Sequence, residues 1–329
     1  MYDVITIGSA TVDVFVNTHK DKVVKAKHHK TEEFLTCYPL GSKMLIKDLN
    51  FTTGGGGTNT AASFSKLGLK TAYCGNIGDD MNGEMVVQDL KKHGIDFIGT
   101  KSDDKTNYSV ILDSVKHDRT ILAYKEASSK LDLSRLNKNK LKAKCFYFSS
   151  MIGKSFQTSL KLMEYALGNK IKVAFNPSTY EVEKGKSKLK PCLKKTDVLI
   201  FNKEEASILA GMDYDTDINT LLSEIRKLGP KILVITQGSK GAFCSDGINI
   251  YSIKSRDIEV VETTGAGDAF ASGFVTGIIK DKDIEFCMKL GLVQAESVIQ
   301  HHGAKNRLLS WSQALKDMKN CPDVKISKI

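Results

Sequence analysis

The sequence predicts an α/β protein with a mainly parallel central sheet that is covered by helices on both faces. Short apolar segments of strand-like composition alternate with amphipathic helical segments along most of the 329 residues. Such alternation is typical of βαβ units, whose parallel strands are buried beneath helices. The predicted strands span residues 71–77, 145–149, 171–175, 198–201 and 232–236. The predicted helices span residues 58–67, 156–167, 220–228 and 269–279.

Two regions interrupt this alternation and predict a small second sheet. Residues 13–50 mix short apolar runs with a lysine- and histidine-rich stretch. Residues 108–125 contain two β-like runs on either side of a turn-like segment, Ser114–Asp118. We expect both regions to form a lid on a single domain that comprises residues 1–329.

The charge pattern argues against a nucleic-acid partner. Lysine and arginine number 48 against 38 acidic residues, which gives a formal net charge of +10 at pH 7. These basic residues are spread along the chain without the interleaved aromatic residues that stack on bases, so a solvated surface is expected. No apolar run reaches the ~18 residues of a membrane span, and the strand-like residues after Met1 predict no signal peptide.

The seven cysteines predict reduced thiols. Their number is odd, their spacing is irregular, and no C-x-x-C pair occurs. This usage fits a cytoplasmic protein better than a disulfide framework.

The segment Glu262–Phe270 carries the most specific chemical pattern. Gly265, Ala266 and Gly267 precede Asp268 at the start of a strongly helical run. Backbone N–H groups at such a helix start, free of side-chain bulk, form an anion hole for a phosphoryl group. Asp268 could accept the proton of an attacking hydroxyl group, or it could simply cap the helix.

This segment closely resembles the signature of the ribokinase-like (PfkB) family of sugar and nucleoside kinases. The family signature normally opens with Asp where this chain has Glu262. The resemblance implies a three-layer α/β/α fold with a mainly parallel central sheet and a small β-sheet lid. It also implies an ATP-dependent carbohydrate kinase in which Asp268 is the catalytic base and the amides of residues 265–267 stabilise the transferring phosphoryl group.

The acceptor side of the family pattern lies near the N-terminus. Gly8–Asp13 resembles the opening strand, and Thr53–Ala61 resembles the glycine turn that leads into a helix. A dinucleotide loop is excluded, because Asn59 and Thr60 stand where G-x-G-x-x-G needs its third glycine. A carboxylate such as Asp13 is otherwise often a turn residue, and Lys125 is equally compatible with a solvated lysine. The implied acceptor-binding residues are Asp13, Gly55, Gly56, Gly57, Asn59 and Lys125.

The nucleotide side of the pattern lies in the second half of the chain. Asn202–Glu205 matches an N-x-x-E element that organises Mg²⁺, with Glu205 acting through water, although a helix-capping pair explains it equally well. Thr236–Gly241 resembles the T-x-G-x-x-G nucleotide turn, although glycines at this spacing also form hairpins. A Walker A loop is excluded, because Gly153-Lys154-Ser155 lacks its leading glycine. The implied nucleotide-binding residues are Asn202, Thr236, Gly238, Ser239, Gly241, Val298 and His302.

Many members of the resembled family also bind a monovalent cation beside the anion hole. Glu262 is one methylene longer than the usual Asp, so the sequence alone does not decide whether a K⁺ site is present. The adjacent His301 and His302 have poor geometry for a shared zinc ion. The residues implied for K⁺ are Glu262, Thr264, Val298, His301 and Gly303.

These inferences predict a kinase that uses ATP and Mg²⁺ to phosphorylate a small sugar-like acceptor. Two alternatives remain at this point: a nucleoside kinase of the same family and a non-catalytic ligand sensor. Loss of Asp268 or of the glycine turn would favour the sensor, and both are present. The lid is expected to pair two copies into a homodimer, as in relatives. The acceptor and the choice between ATP and ADP as donor are not determined by the sequence.

Overall fold

The computed structural model describes residues 1–17, 22–28, 31–113 and 119–328. The predicted turn Ser114–Asp118 and residues 18–21 and 29–30 of the predicted lid lie outside the described residues. The described strands are β1 (Tyr2–Ile7), β2 (Thr11–Asn17), β3 (Lys22–His28), β4 (Thr31–Cys37), β5 (Asp48–Gly54), β6 (Thr71–Cys74), β7 (Asn76–Gly78), β8 (Asp96–Phe97), β9 (Thr100–Ser102), β10 (Asn107–Asp113), β11 (Arg119–Tyr124), β12 (Ala143–Phe148), β13 (Lys172–Phe175), β14 (Val198–Asn202), β15 (Ile232–Thr236), β16 (Ala242–Ser245), β17 (Asn249–Ile253) and β18 (Lys325–Lys328). The described helices are α1 (Gly56–Lys66), α2 (Met81–Lys92), α3 (Gly153–Gly168), α4 (Thr179–Val182), α5 (Gly185–Leu193), α6 (Lys203–Ala210), α7 (Ile218–Arg226), α8 (Ala266–Ile279), α9 (Ile284–Ile299) and α10 (Trp311–Asp317).

The large sheet is mainly parallel, as predicted. Its strand order is β18-β17-β16-β15-β14-β13-β12-β1-β6-β8, and the strands from β15 to β8 pair in parallel. The edge from β15 to β18 is antiparallel. Lys325–Lys328 adds β18 at this edge, although the sequence pattern did not predict a strand there.

Apolar residues fill both faces of this sheet. Along β12, Phe146 and Phe148 point to the core beneath α3, α6 and α7, while Tyr147 points to the core beneath α1, α8 and α9. This split follows from the two-residue period of a strand. No helix in the described part of the chain is long and apolar enough to cross a membrane.

The lid is a four-stranded sheet with the order β11-β10-β2-β5. The predicted pair β10 and β11 joins β2 through a parallel contact, so both interrupting regions contribute to one sheet. The strands β3 and β4 form a separate hairpin. Val12, Val14 and Val16 of β2 are buried, whereas Asp13 and Phe15 are partly exposed on the opposite face. One face of the lid therefore packs on the body while the other carries polar and aromatic groups.

The helices α1 and α8 lie against each other and bring two distant motifs together. Ser63 of α1 and Ser272 of α8 are buried, and their hydroxyl oxygens are 2.6 Å apart. Each serine lies four residues after a predicted site residue, Asn59 and Asp268 respectively. Because residues i and i+4 share one face of a helix, this contact also brings the site residues together.

Candidate active site

Asp268 and Asn59 meet where the N-terminal turns of α8 and α1 converge. The Asn59 Nδ2 group donates a hydrogen bond to Asp268 Oδ2 at 2.9 Å. Burial raises the pKa of Asp268 to about 6, while the Asn59 hydrogen bond and the charge of Lys305 oppose this rise. Asn59 is 7% exposed, and its Oδ1 atom has no hydrogen-bond partner among the described residues. The site thus combines a carboxylate that titrates near neutrality with an unused acceptor atom.

The turn before α8 begins the helix with a glycine in the left-handed conformation. Gly265 is the N-cap with φ 79°, and a Cβ atom there would lie 2.4 Å from Ala304 Cβ. The helix starts at Ala266, three residues earlier than predicted, so Asp268 lies within its first turn. Amides of a first helical turn have no acceptor within their helix, which leaves those of Gly267 and Asp268 available. The Ala266 amide donates to the Thr263 carbonyl at 3.2 Å.

On the acceptor side, Asp13 lies against the glycine turn. A Cβ atom on Gly54 would lie 2.0 Å from Asp13 Oδ2, so only glycine leaves room for this carboxylate. Burial raises the pKa of Asp13, whereas a hydrogen bond from Ser109 and the charge of Lys305 oppose the rise. Gly55 has φ 94° and starts α1, which sets the direction of Asn59.

Lys125 lies at the end of the lid, in an exposed position. Its Nζ atom is 4.4 Å from the centre of the Tyr180 ring in α4. This contact accounts for its position without a ligand, so its role in acceptor binding stays a prediction.

Lys305 was not predicted as a site residue. Its side chain is 11% exposed, and its Nζ atom lies 2.8 Å from Asp89 Oδ2 and 2.7 Å from Thr53 Oγ1. Burial lowers the pKa of Lys305, and the charges of Asp89, Asp13 and Asp268 oppose this effect. No local pattern distinguishes this lysine from the other lysines, since its burial depends on contacts with residues more than 200 positions away.

A cavity of about 420 Å³ lies behind the anion-hole turn. The predicted residues Thr236, Gly238, Ser239 and Gly241 line one side of it. The opposite side is apolar, and the segment 255–260, which was not predicted, closes the end. The apolar lining comprises Phe270, Leu292, Ala295 and Ile299. The backbone of a glycine turn is suited to bind phosphates, and an apolar wall is suited to pack against a base. The cavity could therefore accommodate a nucleotide.

A smaller cavity of about 210 Å³ connects this region with Asp268. Asn202, Glu205, Thr236, Gly265 and Asp268 are among the residues that line it. Three motifs that lie far apart in the sequence therefore face one space.

Glu205 has two roles in this smaller cavity. It forms the predicted capping box of α6, in which Asn202 Oδ1 accepts from the Glu205 amide at 2.8 Å and Glu205 Oε2 accepts from the Asn202 amide at 3.0 Å. Burial, together with the nearby acids Glu181, Glu204 and Asp268, raises the pKa of Glu205 to about 7, against the opposing effect of the hydrogen bond from the Asn202 amide. This excess of negative charge fits a bound Mg²⁺ ion, which prefers oxygen ligands and retains several waters. Within the described residues, no group of three or more His, Cys, Asp or Glu side chains is arranged around a metal position.

The turn after α9 differs from the prediction for the nucleotide. Val298 is fully buried in the core, and its carbonyl accepts a hydrogen bond from the His301 amide. His302 lies on the lid side, where it lines a separate cavity of about 440 Å³ with Phe15 and Asn50. Neither Val298 nor His302 is among the residues that line the cavity of Thr236 and Gly238, although Ala295 and Ile299 of α9 do line it.

The predicted K⁺ residues are partly assembled. Glu262 has a side chain that is 7% exposed, and its Oε2 atom accepts a hydrogen bond from the Gly303 amide at 2.9 Å. His302 Nδ1 is 3.5 Å from the same oxygen. His301 instead lines a further cavity of about 590 Å³ behind the segment 255–260.

Comparisons with known proteins agree with this fold. The model of the pfkB family carbohydrate kinases matches residues 2–311. A sugar kinase of uncharacterised specificity from Archaeoglobus fulgidus is 31% identical over 256 residues, which are 74% of this chain and 97% of the relative. Ribokinase from Haemophilus influenzae is 25% identical and covers 84% of this chain and 90% of its own length. The solved Arabidopsis thaliana ribokinase with ribose and ATP has a TM-score of 0.81 at 22% identity, covering 97% of this chain and 99% of that one.

The protein belongs to the pfkB family of carbohydrate kinases. It is a phosphotransferase of the sugar and nucleoside kinase class, which confirms the family predicted from residues 262–270. The three-layer fold with a separate small sheet is also confirmed.

Proposed function

We propose that this protein transfers a phosphoryl group from ATP to a hydroxyl group of a small sugar-like acceptor. The observation that carries the proposal is the position of Asp268. Its carboxylate bonds to Asn59 on the acceptor side, and it also lines the cavity shared by Gly267 and Thr236 on the nucleotide side. A hydroxyl group and a terminal phosphate can therefore approach the same carboxylate from two directions.

Asp268 is proposed as the general base. A pKa of about 6 leaves the carboxylate mostly ionised at pH 7 and still able to accept a proton. Negative charge on the transferring phosphoryl group would be stabilised by the free amides of the α8 N-terminus and by its helix dipole. Phosphoryl transfer depends mainly on such alignment and electrostatics.

Mg²⁺ is proposed to bind with the nucleotide phosphates near Glu205. When bound, it would neutralise phosphate charge. Glu205 would hold it through water, because both Glu205 and Asn202 already bond to each other in the capping box. The acidic surroundings of Glu205 support this position.

A polyhydroxyl acceptor is supported by Asp13 and Asn59. Asp13 supplies carboxylate oxygens, and Asn59 Oδ1 is buried without a partner among the described residues. A buried acceptor atom that lacks a hydrogen bond is costly, and a sugar hydroxyl would satisfy it.

A nucleoside acceptor is the second candidate. The cavity of about 440 Å³ beneath the lid combines the aromatic residues Phe15 and Phe51 with the amides of Asn50 and Asn306. Aromatic faces and amide groups are suited to stacking on a base and to bonding its edge. Relatives include a cytidine kinase from Thermococcus kodakarensis that is 32% identical over half of this chain.

Acceptor-dependent ADP release tests both candidates. The purified protein is incubated with MgATP and a panel of pentoses, hexoses, inositols, keto acids and nucleosides. The proposal expects at least one acceptor to raise ADP release well above the acceptor-free rate. If no acceptor on the panel raises the rate of ADP release and one ligand nevertheless binds tightly, the protein would instead be a sensor.

A homodimer through the lid is also proposed. Exposed apolar side chains lie on both edge strands of the lid sheet: Leu49 and Phe51 on β5, and Ile121, Leu122 and Tyr124 on β11. Exposed edge strands with apolar side chains are surfaces on which a second chain can pair. Sedimentation velocity is expected to give a dimer that Ile121→Asp dissociates, and a wild-type monomer at micromolar concentration would refute it.

We also propose that a monovalent cation binds beside Glu262. The carboxylate lies against the Gly303 turn, where a cation would bridge both segments. Replacing choline chloride by KCl is expected to raise kcat a few-fold at constant ionic strength, and equal rates would remove the site.

A further inference from the structure

Arg256 joins the segment 255–260 to the helices α9 and α10. Its backbone amide donates a hydrogen bond to Glu296 Oε1 at 2.8 Å, and its Nε atom donates to Glu296 Oε2 at 2.6 Å. Its Nη1 and Nη2 atoms donate to the two carboxylate oxygens of Asp317 at 3.0 Å and 2.8 Å. Such bidentate contacts fix the planar guanidinium group in one orientation. These three residues are called the Arg256 clamp below.

The Arg256 clamp is largely removed from water. The side chain of Glu296 is 3% exposed, that of Arg256 is 20% exposed, and that of Asp317 is 35% exposed. A buried charge is tolerated only when it is paired and hydrogen-bonded. Residues 254–260 belong to neither a helix nor a strand. The clamp therefore holds a segment that has no regular secondary structure of its own.

Two members of the clamp belong to the wall of the proposed nucleotide cavity. Arg256 and Glu296 both line the cavity of about 420 Å³. The helix α9, which carries Glu296, also supplies the apolar residues Leu292, Ala295 and Ile299 of the same cavity. The clamp therefore fixes the segment that closes the cavity against the helix that supplies part of its apolar wall.

Asp317 differs from the other two members of the clamp. It is not among the residues that line the cavity of about 420 Å³, so its effect on a ligand there would pass through Arg256. It also lies beyond residue 311, where the match to the pfkB family model ends. The helix α10 thus supplies a contact that the matched part of the chain does not contain.

We propose that Arg256 is a positioning residue for the nucleotide, held against the cavity by Glu296 of α9 and Asp317 of α10. This inference rests on the proposed function, because it takes the cavity of about 420 Å³ as the nucleotide site. The clamp fixes the end of the cavity where an apolar wall can pack against a base. Its loss should therefore weaken the binding of the nucleoside part more than the binding of the phosphates.

Asp317→Ala tests the clamp with little risk to the fold, because Glu296 remains paired with Arg256. Isothermal titration calorimetry with Mg²⁺ and the non-hydrolysable ATP analogue AMP-PNP measures binding to the purified protein without any turnover. We expect the Kd of AMP-PNP to rise about tenfold, which is within the range for residues that act on a ligand through another residue. In steady-state assays the KM of ATP should rise by a similar factor while kcat changes less than about twofold, since uniform binding is lost.

Inorganic tripolyphosphate separates this effect from a general loosening of the structure. It lacks the base and the ribose, so it can use the glycine turn but not the apolar wall. That turn is closed by a backbone hydrogen bond of its own, in which the Gln237 amide donates to the Gly241 carbonyl at 2.8 Å. Asp317→Ala should therefore bind tripolyphosphate with the wild-type Kd.

Two further substitutions sharpen this test. Asp323→Ala is the matched control, because Asp323 is a fully exposed carboxylate of the same C-terminal segment, 3.8 Å from Lys289 Nζ. It should leave both Kd values unchanged. Arg256→Met removes the clamp itself and should weaken AMP-PNP binding at least as much as Asp317→Ala does. Added to Arg256→Met, the Asp317→Ala substitution should change the Kd less than about twofold, because both break the same contact.

The binding and kinetic results separate this proposal from the proposed function. An AMP-PNP Kd of Asp317→Ala within about twofold of the wild-type value overturns the positioning role, even if the enzyme is a kinase. Equal weakening of AMP-PNP and tripolyphosphate shows a structural role only, and likewise overturns it. Weaker binding of AMP-PNP alone, in a protein that phosphorylates no acceptor, supports the positioning role and refutes the proposed function. A wild-type protein that does not bind AMP-PNP refutes both.

Discussion

The two sides of the cleft are built in different ways. The proposed nucleotide side combines backbone turns at the ends of β14 and β15 and at the start of α8 with an apolar wall from α8 and α9. The acceptor side depends on side chains of the lid, such as Asp13 and Phe15, which lie on its partly exposed face. In the proposed function, backbone geometry holds the transferring phosphate, whereas side chains of the lid select the group that receives it. The reaction class is therefore easier to infer than the acceptor.

The largest effect is expected from Asp268→Asn on the nucleotide side. The amide retains the shape and can still bond to Asn59, but it cannot accept the proton of the acceptor hydroxyl. We expect kcat to fall by about 10²- to 10⁴-fold with little change in Tm. Steady-state ADP release and thermal unfolding measure both quantities, and near wild-type turnover would remove Asp268 from the mechanism.

Gly265→Ala tests whether the backbone conformation of the turn before α8 is needed for activity on the nucleotide side. The added Cβ atom would lie 2.4 Å from Ala304 Cβ, and φ 79° is unfavourable for alanine. We expect kcat to fall by about 10²-fold or more as the amides move away from the phosphate. Gly211→Ala is the matched control, because Gly211 has φ 63° but open space around its Cβ position. Equal activity of the two variants would show that the turn is not part of the anion hole.

Glu205→Gln tests whether Glu205 helps to hold the proposed Mg²⁺ ion on the nucleotide side. Removal of the carboxylate charge should raise the Mg²⁺ concentration needed for half-maximal activity by about 10- to 100-fold, as is usual for residues that hold a metal through water. Glu204→Gln, at the exposed neighbouring position, should change it little. If both variants need the same Mg²⁺ concentration as the wild type, Glu205 only caps α6.

Gly54→Ala addresses the acceptor side, where a smaller effect is expected. The new methyl group would displace the Asp13 carboxylate, since the Cβ position lies 2.0 Å from its Oδ2 atom. Loss of one charged hydrogen bond should raise the KM of the acceptor about tenfold while the KM of ATP stays constant. Gly168→Ala has open space and is the control. An equal rise in both KM values would mean that the two sides are not separate.

Much of the fold could be predicted from local patterns. The parallel strands follow from apolar runs such as Val198–Phe201, because buried strands need apolar residues on both faces. The order of the strands and the lid sheet depend on long-range pairing, which periodicity does not encode. The edge strand β18 was missed because Lys325–Lys328 is entirely exposed and lacks a strand-like apolar pattern.

As with the fold, the parts of the candidate site that are contiguous in the sequence could be predicted, whereas the parts that depend on long-range contacts could not. The motifs around Asp268 and Thr236 consist of contiguous residues, so their chemistry is visible in the sequence. Lys305 was missed because its burial depends on contacts with Thr53 and Asp89, which are far away in the chain. Val298 was assigned to the nucleotide site, but its side chain is buried in the core and is not among the residues that line the cavity of Thr236 and Gly238.

The pH dependence of kcat/KM tests the central claim most directly. A base with a pKa of about 6 must be deprotonated to act, so activity should rise with pH and level off above about pH 7. We expect an acid limb with an apparent pKa near 6 in the wild-type protein and its loss in Asp268→Asn. An unchanged limb in that variant would contradict the assignment of Asp268 as the base.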